Sequence, residues 1–199
     1  MSGPQKNKTI ILISLFTALT AVGAFLKIPL PTVPITLQTF FVLMCGNLLS
    51  GVHGSISQIT YLILGLIGIP IFAYGGGPGY IFQPTFGYLL GYPFCALIVG
   101  LIREKILPDI KIRQYSKRKI FYSLFVSDIV GVIVIFSFGL GYLYLNIKYH
   151  IYSNLDHASL STGLDIKKII NSTIMVFVPF DLLKAFLASL LSVRLVKML

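Results

Sequence analysis

Charge is scarce in this chain. Asp, Glu, Lys and Arg make up 11% of its 199 residues, against about 25% in a soluble globular domain. A mean hydropathy of +0.88 accompanies that scarcity. The deficit excludes an ordinary water-soluble domain. There is also no Gly-Lys dipeptide, so the glycine-rich phosphate loop ending in Gly-Lys-Ser/Thr is absent and ATP is not bound by that route. Only two cysteines occur, Cys45 and Cys95, in separate apolar stretches without a Cys-x-x-Cys pair or a histidine at metal-ligand spacing. They read as small buried residues. His53, His150 and His157 fall in loops or at helix ends, which argues against a zinc site. No serine–histidine–acid set stands out, so the chain reads as a non-enzyme. The net charge is +10, yet the basic residues flank hydrophobic runs instead of forming one soluble face, which argues against a nucleic-acid partner.

What the sequence does contain is long apolar runs. Six are expected to be membrane helices, at about 9–28, 37–52, 56–73, 80–107, 119–146 and 168–195. Their ends carry helix breakers: Pro29, Pro31 and Pro34, Gly51 with Gly54, the Gly75–Gly79 run, and Pro108. The expected fold class is an all-α integral membrane protein of one domain, residues 1–199, with no internal repeat. A short surface helix is expected within 149–167. Lys6 and Lys8 ahead of an apolar run, with Val22-Gly23-Ala24 behind it, have the outline of a signal peptide. The run from Ile10 to Ile28 is longer than a signal core, and keeping it gives a consistent topology.

Six crossings put both termini on one side. Lys6, Lys8, Arg194, Lys197 and the cluster Arg103, Lys105, Lys111, Arg113, Lys117, Arg118 and Lys119 share that side, eleven basic residues against Lys27, Lys148, Lys167 and Lys168 on the other. The positive-inside rule makes the termini cytoplasmic. The basic cluster reads as a topology anchor that touches anionic lipid. The loops at 28–37 and 72–79 then face outward, and a pocket is expected to open between them.

The sixth run carries an acid and a base, Asp181 and Lys184, just after Pro179. An ionisable group at the bilayer centre costs about 2.5–3.5 kcal/mol on insertion scales, so both must face protein, a cavity or each other. At spacing i, i+3 they share one helix face. Two readings stay open. The pair is either a self-neutralising tie that fixes helix packing, or a ligand grip in which the carboxylate accepts N–H bonds and the ammonium donates to a carbonyl. Pro179 leaves a carbonyl of the preceding turn free to serve the same site. Asp128, embedded in the fifth run, reads as a helix–helix tie. The Gly75–Gly79 run is either a sharp turn or a place where backbone nears a ligand. On the first run, Thr17 with Ala21 and Thr20 with Ala24 place small residues at four-residue spacing, widened by Ala18 and Gly23. Such a face lets a helix approach closely, either from within the protein or from a partner.

Three segments, read together, carry a resemblance. The stretch from Lys27 to Phe41 (KIPLPTVPITLQTFF) resembles the first outer loop of the BioY family, the biotin-specific S components of energy-coupling factor (ECF) transporters. Gln83-Pro84-Thr85-Phe86-Gly87-Tyr88-Leu89 resembles that family's Gly-Pro-Thr-Gly-Gly-Tyr-Leu motif. Pro179-Phe180-Asp181-Leu182-Leu183-Lys184 resembles its Pro-Gly-Asp-x-x-Lys signature. Gln83, Phe86 and Phe180 depart from it, each standing where the family has glycine, and Phe180 is a candidate for narrowing the pocket. The resemblance implies a six-helix substrate-capture subunit of the bacterial plasma membrane that binds biotin from outside. It implies as partners a transmembrane coupling protein and two ATPase subunits, which use the ATP; no cofactor is implied in this chain. Asp181 and Lys184 would meet the ureido ring of biotin, with Thr36 and Gln38 contributing from the first outer loop. Tyr88, Phe72 and Tyr74 would line the apolar part. Thr17, Ala18 and Ala21 would form the coupling face. A carrier of another small heterocyclic vitamin, a stand-alone biotin carrier and, more distantly, an intramembrane enzyme are the competing readings.

Overall fold

A computed structural model describes residues 3–30, 33–108, 114–148 and 166–198. Among these residues there are six α-helices: α1 (Gly3–Phe25), α2 (Gln38–Leu48), α3 (Gly51–Leu66), α4 (Phe86–Ile106), α5 (Lys117–Lys148) and α6 (Ile166–Leu195). A two-stranded antiparallel hairpin, β1 (Lys27–Ile28) with β2 (Ile35–Thr36), joins α1 to α2, and a short 3-10 helix (Pro78–Phe82) precedes α4. The all-α architecture expected from the apolar runs is present. The surface helix expected within 149–167 falls mainly on 149–165, outside the described residues; residues 166 and 167 already belong to α6.

α1, α4, α5 and α6 are long and apolar enough to cross a membrane. α2 and α3, with 11 and 16 residues, are shorter than the roughly 20 residues a spanning helix needs. Three expected boundaries move. The break between the second and third runs lies at Leu49 and Ser50, where extended backbone ends α2 and the Ser50 hydroxyl caps α3 by accepting from His53 N–H. Gly51 and Gly54, expected to mark that break, lie inside α3, where missing side chains bring α3 against α4. A Cβ on Gly51 would stand 2.6 Å from the Leu97 carbonyl oxygen. The third run ends at Leu66, not 73, because Gly68 takes φ +112° and turns the chain ahead of Pro70. The apolar residues beyond it belong to a loop that buries Phe72. The fourth run begins its helix at Phe86, after the 3-10 turn.

The bundle centres on α4, which packs against α2, α3 and α5, while α6 packs on α2 and α5. Polar ties hold the interior. Asp128 of α5, fully buried, accepts from Asn47 Nδ2 of α2 at 3.0 Å and from the Ser189 hydroxyl of α6 at 2.6 Å. The helix-tie reading of Asp128 matches this geometry. Apolar side chains such as Ile11, Val22, Met175 and Leu183 face outward, as the lipid-facing side of a membrane bundle requires.

Candidate functional site

The site is assembled from α6, the start of α2, the start of α4 and the loops at 26–37 and 67–85, which hold the stretches expected to face outward. α6 supplies the charges. Asp181 and Lys184 are buried, and Lys184 Nζ stands 2.6 Å from Asp181 Oδ1. Both line a cavity, with Phe177 one turn earlier on the same helix. The pair is therefore locked together and still borders open space. Phe180, expected to narrow the pocket, is 43% exposed and turned away from the cavity. The residue after Pro179 falls on the lipid-facing side of α6, so the departure from glycine there leaves the cavity unchanged.

The hairpin leads into α2 and sets the second wall. Thr36 donates to Gln38 Oε1 at 3.0 Å, Gln38 Nε2 donates to the Tyr61 hydroxyl at 2.8 Å, and Tyr61 donates to the Ile71 carbonyl at 2.9 Å. This relay fixes Gln38, which is buried and lines the cavity with Thr36 and Thr39. Sequence reasoning missed Thr39, a threonine in an apolar helix with nothing in its type to set it apart.

α4 and the 3-10 turn supply the aromatic wall of Tyr80, Tyr88 and Tyr92. Tyr88 was expected here; Tyr80 and Tyr92 were not. The Tyr88 hydroxyl is buried with no hydrogen-bond partner among the described residues, in a residue that lines the cavity. Its ring is seated against Gly139 of α5, where a Cβ would lie 2.4 Å from the ring. Thr85 donates to the Tyr80 hydroxyl at 3.4 Å, and burial pushes the Tyr80 phenol up, so it stays protonated as a donor.

Two expected wall residues stand elsewhere. Phe72 is buried behind the wall, packed on Tyr61 and Tyr80 at ring distances of 5.3 and 4.6 Å. It supports Tyr80 and does not line the cavity. Tyr74 is 47% exposed, off the cavity, beneath the Lys27 ammonium. Ala73 between them does line the cavity, because the tight Phe72–Gly75 bridge turns alternate residues to opposite sides. The glycines after it make a turn: Gly75 and Gly77 take φ +111° and +103°, and Gly77 N–H donates to the Gly65 carbonyl at the end of α3.

The cavity holds about 30 Å³ of free volume in this conformation. That is room for a water or two, while pockets that enclose a drug-sized ligand run about 300–1,000 Å³. Val33, Pro34 and Thr36 of the loop at 26–37 and Ala73 and Tyr80 of the loop at 67–85 line it.

The small-residue stripe of α1 divides. Thr17, expected on the outer coupling face, is buried: its hydroxyl bonds the Ser57 carbonyl at 3.0 Å and approaches the Ser57 hydroxyl at 3.2 Å. Thr20 pairs with Gln58, and Gly23 and Ala24 are buried. Two threonine hydroxyls in an apolar helix find partners inside the protein, which turns that side of α1 toward α3. Ala18 is exposed and Ala21 half-buried, and with Ser14, the buried Thr17, Leu64 and Ile69 they line a surface groove of about 400 Å³ between α1 and α3.

The chain is similar to known proteins in sequence and in fold. The chain is 42% identical over 158 residues to a Lysinibacillus sphaericus protein described as "Probable biotin transporter BioY", covering 78% of this chain and 76% of that one. It is 34% identical over 192 residues to the "Biotin transporter BioY" of Thermotoga maritima, covering 96% and 97%. Its fold matches the crystal structure of an S component for biotin from an ECF-type ABC transporter, with TM-score 0.77, 27% identity and coverage of 99% and 95%. The BioY family model matches residues 1–199, and the chain belongs to the BioY family.

Proposed function

We propose that this chain is the biotin-capture S component of an ECF-type transporter: it binds biotin from the outer side of the bacterial plasma membrane and delivers it inward. The reading rests on the Asp181–Lys184 pair in the wall of a cavity that two loops also line. Biotin's ureido ring offers N–H donors and a carbonyl on one edge. Asp181 accepts the N–H, Lys184 donates to the carbonyl, and the ligand replaces their mutual contact. Thr39 and the Tyr88 hydroxyl stand beside that edge as further hydrogen-bonding groups. Tyr80, Tyr92, Leu89 and Phe177 offer apolar surface to the thioether ring and chain. The pocket widens to admit the ligand.

The chain supplies the pocket and a docking surface. Inward delivery needs a partner that hydrolyses ATP, which we take to be a transmembrane coupling protein with two ATPase subunits. The groove at Ala18 and Ala21 is smooth enough for a partner helix to approach closely. Thr17, bonded to Ser57, lines the buried side of the same groove.

Equilibrium binding of labelled biotin to the purified protein, with desthiobiotin and thiamine as competitors, tests the reading. Saturable biotin binding that thiamine does not displace supports it. Failure to bind biotin, or displacement by thiamine at equal concentration, overturns it.

A further inference from the structure

The proposed guest has two polar ends, and Asp181 with Lys184 accounts for one of them. The other is a carboxylate at the end of biotin's side chain, which would lie toward the outer loops. Those two loops, residues 26–37 and 67–85, contain one charged side chain between them, Lys27, and no acid. The Lys27 ammonium donates to the carbonyl oxygen of Ala73 and lies 4.5 Å from the centre of the Tyr74 ring. Ala73 is itself a cavity-wall residue. The cation at the end of β1 therefore stands one hydrogen bond from a residue of the cavity wall. A neutral carbonyl and a ring face are weak partners for an ammonium beside those a carboxylate offers.

We infer that Lys27 is the specificity residue for the ligand's anionic end, leaving the Ala73 carbonyl to bind the carboxylate of the captured acid at the pocket mouth. This rests on the proposed function and adds a second recognition point to the same site. Because Lys27 belongs to the first outer loop and Ala73 to the second, the bound carboxylate would sit where the two loops meet. The preferred ligand class is then a small heterocyclic carboxylic acid; an ester or amide of the same compound would be disfavoured.

The test compares biotin with biotinamide, whose side chain ends in a neutral carboxamide, on purified wild-type protein and on the Lys27→Gln and Lys27→Arg variants. The expected result is a preference of the wild type for biotin of at least tenfold. That preference should fall to within twofold in Lys27→Gln and be kept in Lys27→Arg, with biotinamide affinity unchanged within about twofold throughout. Unaltered biotinamide binding also shows that the variants are folded. If Lys27→Gln weakens both ligands equally, Lys27 is only a latch between the loops and the inference is overturned. An unchanged preference in Lys27→Gln overturns it as well, while leaving the biotin reading intact. A wild-type protein that binds neither compound removes both.

Discussion

The Lys184 ammonium stands 2.6 Å from Asp181 Oδ1, one helical turn away on α6, and both side chains border the cavity. A buried pair of this kind has two consequences that mutation separates. Removing one partner strands the other charge in an apolar setting, a cost of about 3–5 kcal/mol. It also removes one side of the hydrogen-bonding edge. Asp181→Asn is expected to weaken biotin binding at least tenfold, about 1.4 kcal/mol, and to lower the melting temperature in detergent. The double variant Asp181→Asn/Lys184→Met is expected to regain stability without regaining affinity. Restored affinity in the double variant would show that the pair serves packing alone.

Gly139 gives the Tyr88 ring its seat. Gly139→Ala places a methyl group 2.4 Å from that ring, which must then shift from its place in the cavity wall. Biotin affinity is expected to fall about tenfold, the equivalent of about 1.4 kcal/mol. Gly141→Ala on the same helix meets nothing within 4 Å and serves as the control. Equal affinities in the two variants would count against Tyr88 as a wall of the site.

Asp128 ties α2, α5 and α6 away from the cavity. Asp128→Leu leaves the buried Asn47 amide without that acceptor, at about 1–3 kcal/mol, while the Ser189 hydroxyl keeps the Ala185 carbonyl. The expected outcome is a clear drop in thermal stability, with biotin affinity of the folded fraction within twofold of wild type. A selective loss of binding in a stable protein would make Asp128 part of the ligand site.

On α1 the two sides of the helix are expected to answer differently. Bulky substitution at Ala18 or Ala21 fills the outer groove, and it should abolish uptake in cells carrying the complete transporter while leaving biotin binding intact. Thr17→Val loses its bonds to Ser57 and should lower stability by about 1 kcal/mol. Uptake assays beside binding assays on the purified variants separate the two. Loss of binding in Ala21→Phe would mean that the groove is internal.

Much of this was legible in the sequence because charge in an apolar run is conspicuous. Asp181, Lys184 and Asp128 announce themselves against their neighbours, and six apolar runs with breakers between them give the helices. What stayed hidden was direction. Hydropathy does not separate a membrane-buried residue from one buried in a loop, so the third run was read through Phe72 although α3 stops at Leu66. Threonine and tyrosine are as common on packing faces as in sites, so Thr39, Tyr80 and Tyr92 carried no signal. Thr17 was read outward because small residues at regular spacing suit either side of a helix. Its bond to Ser57, 40 residues away, buries its hydroxyl at the inner edge of the groove and cannot be seen in α1 alone.

The about 30 Å³ of free volume in the cavity is too small for biotin, so on the proposed function the pocket must widen before the guest is held. A chamber with space for little more than water cannot be entered by simple collision. The guest must wait for a less populated open form, and measured affinity is the intrinsic affinity scaled by the fraction of time that form exists. Capture by such a protein is then limited at low vitamin supply by encounter and at high supply by the widening of its own pocket. In stopped-flow traces the observed rate should therefore climb with biotin concentration and then level off at a ceiling that belongs to the protein.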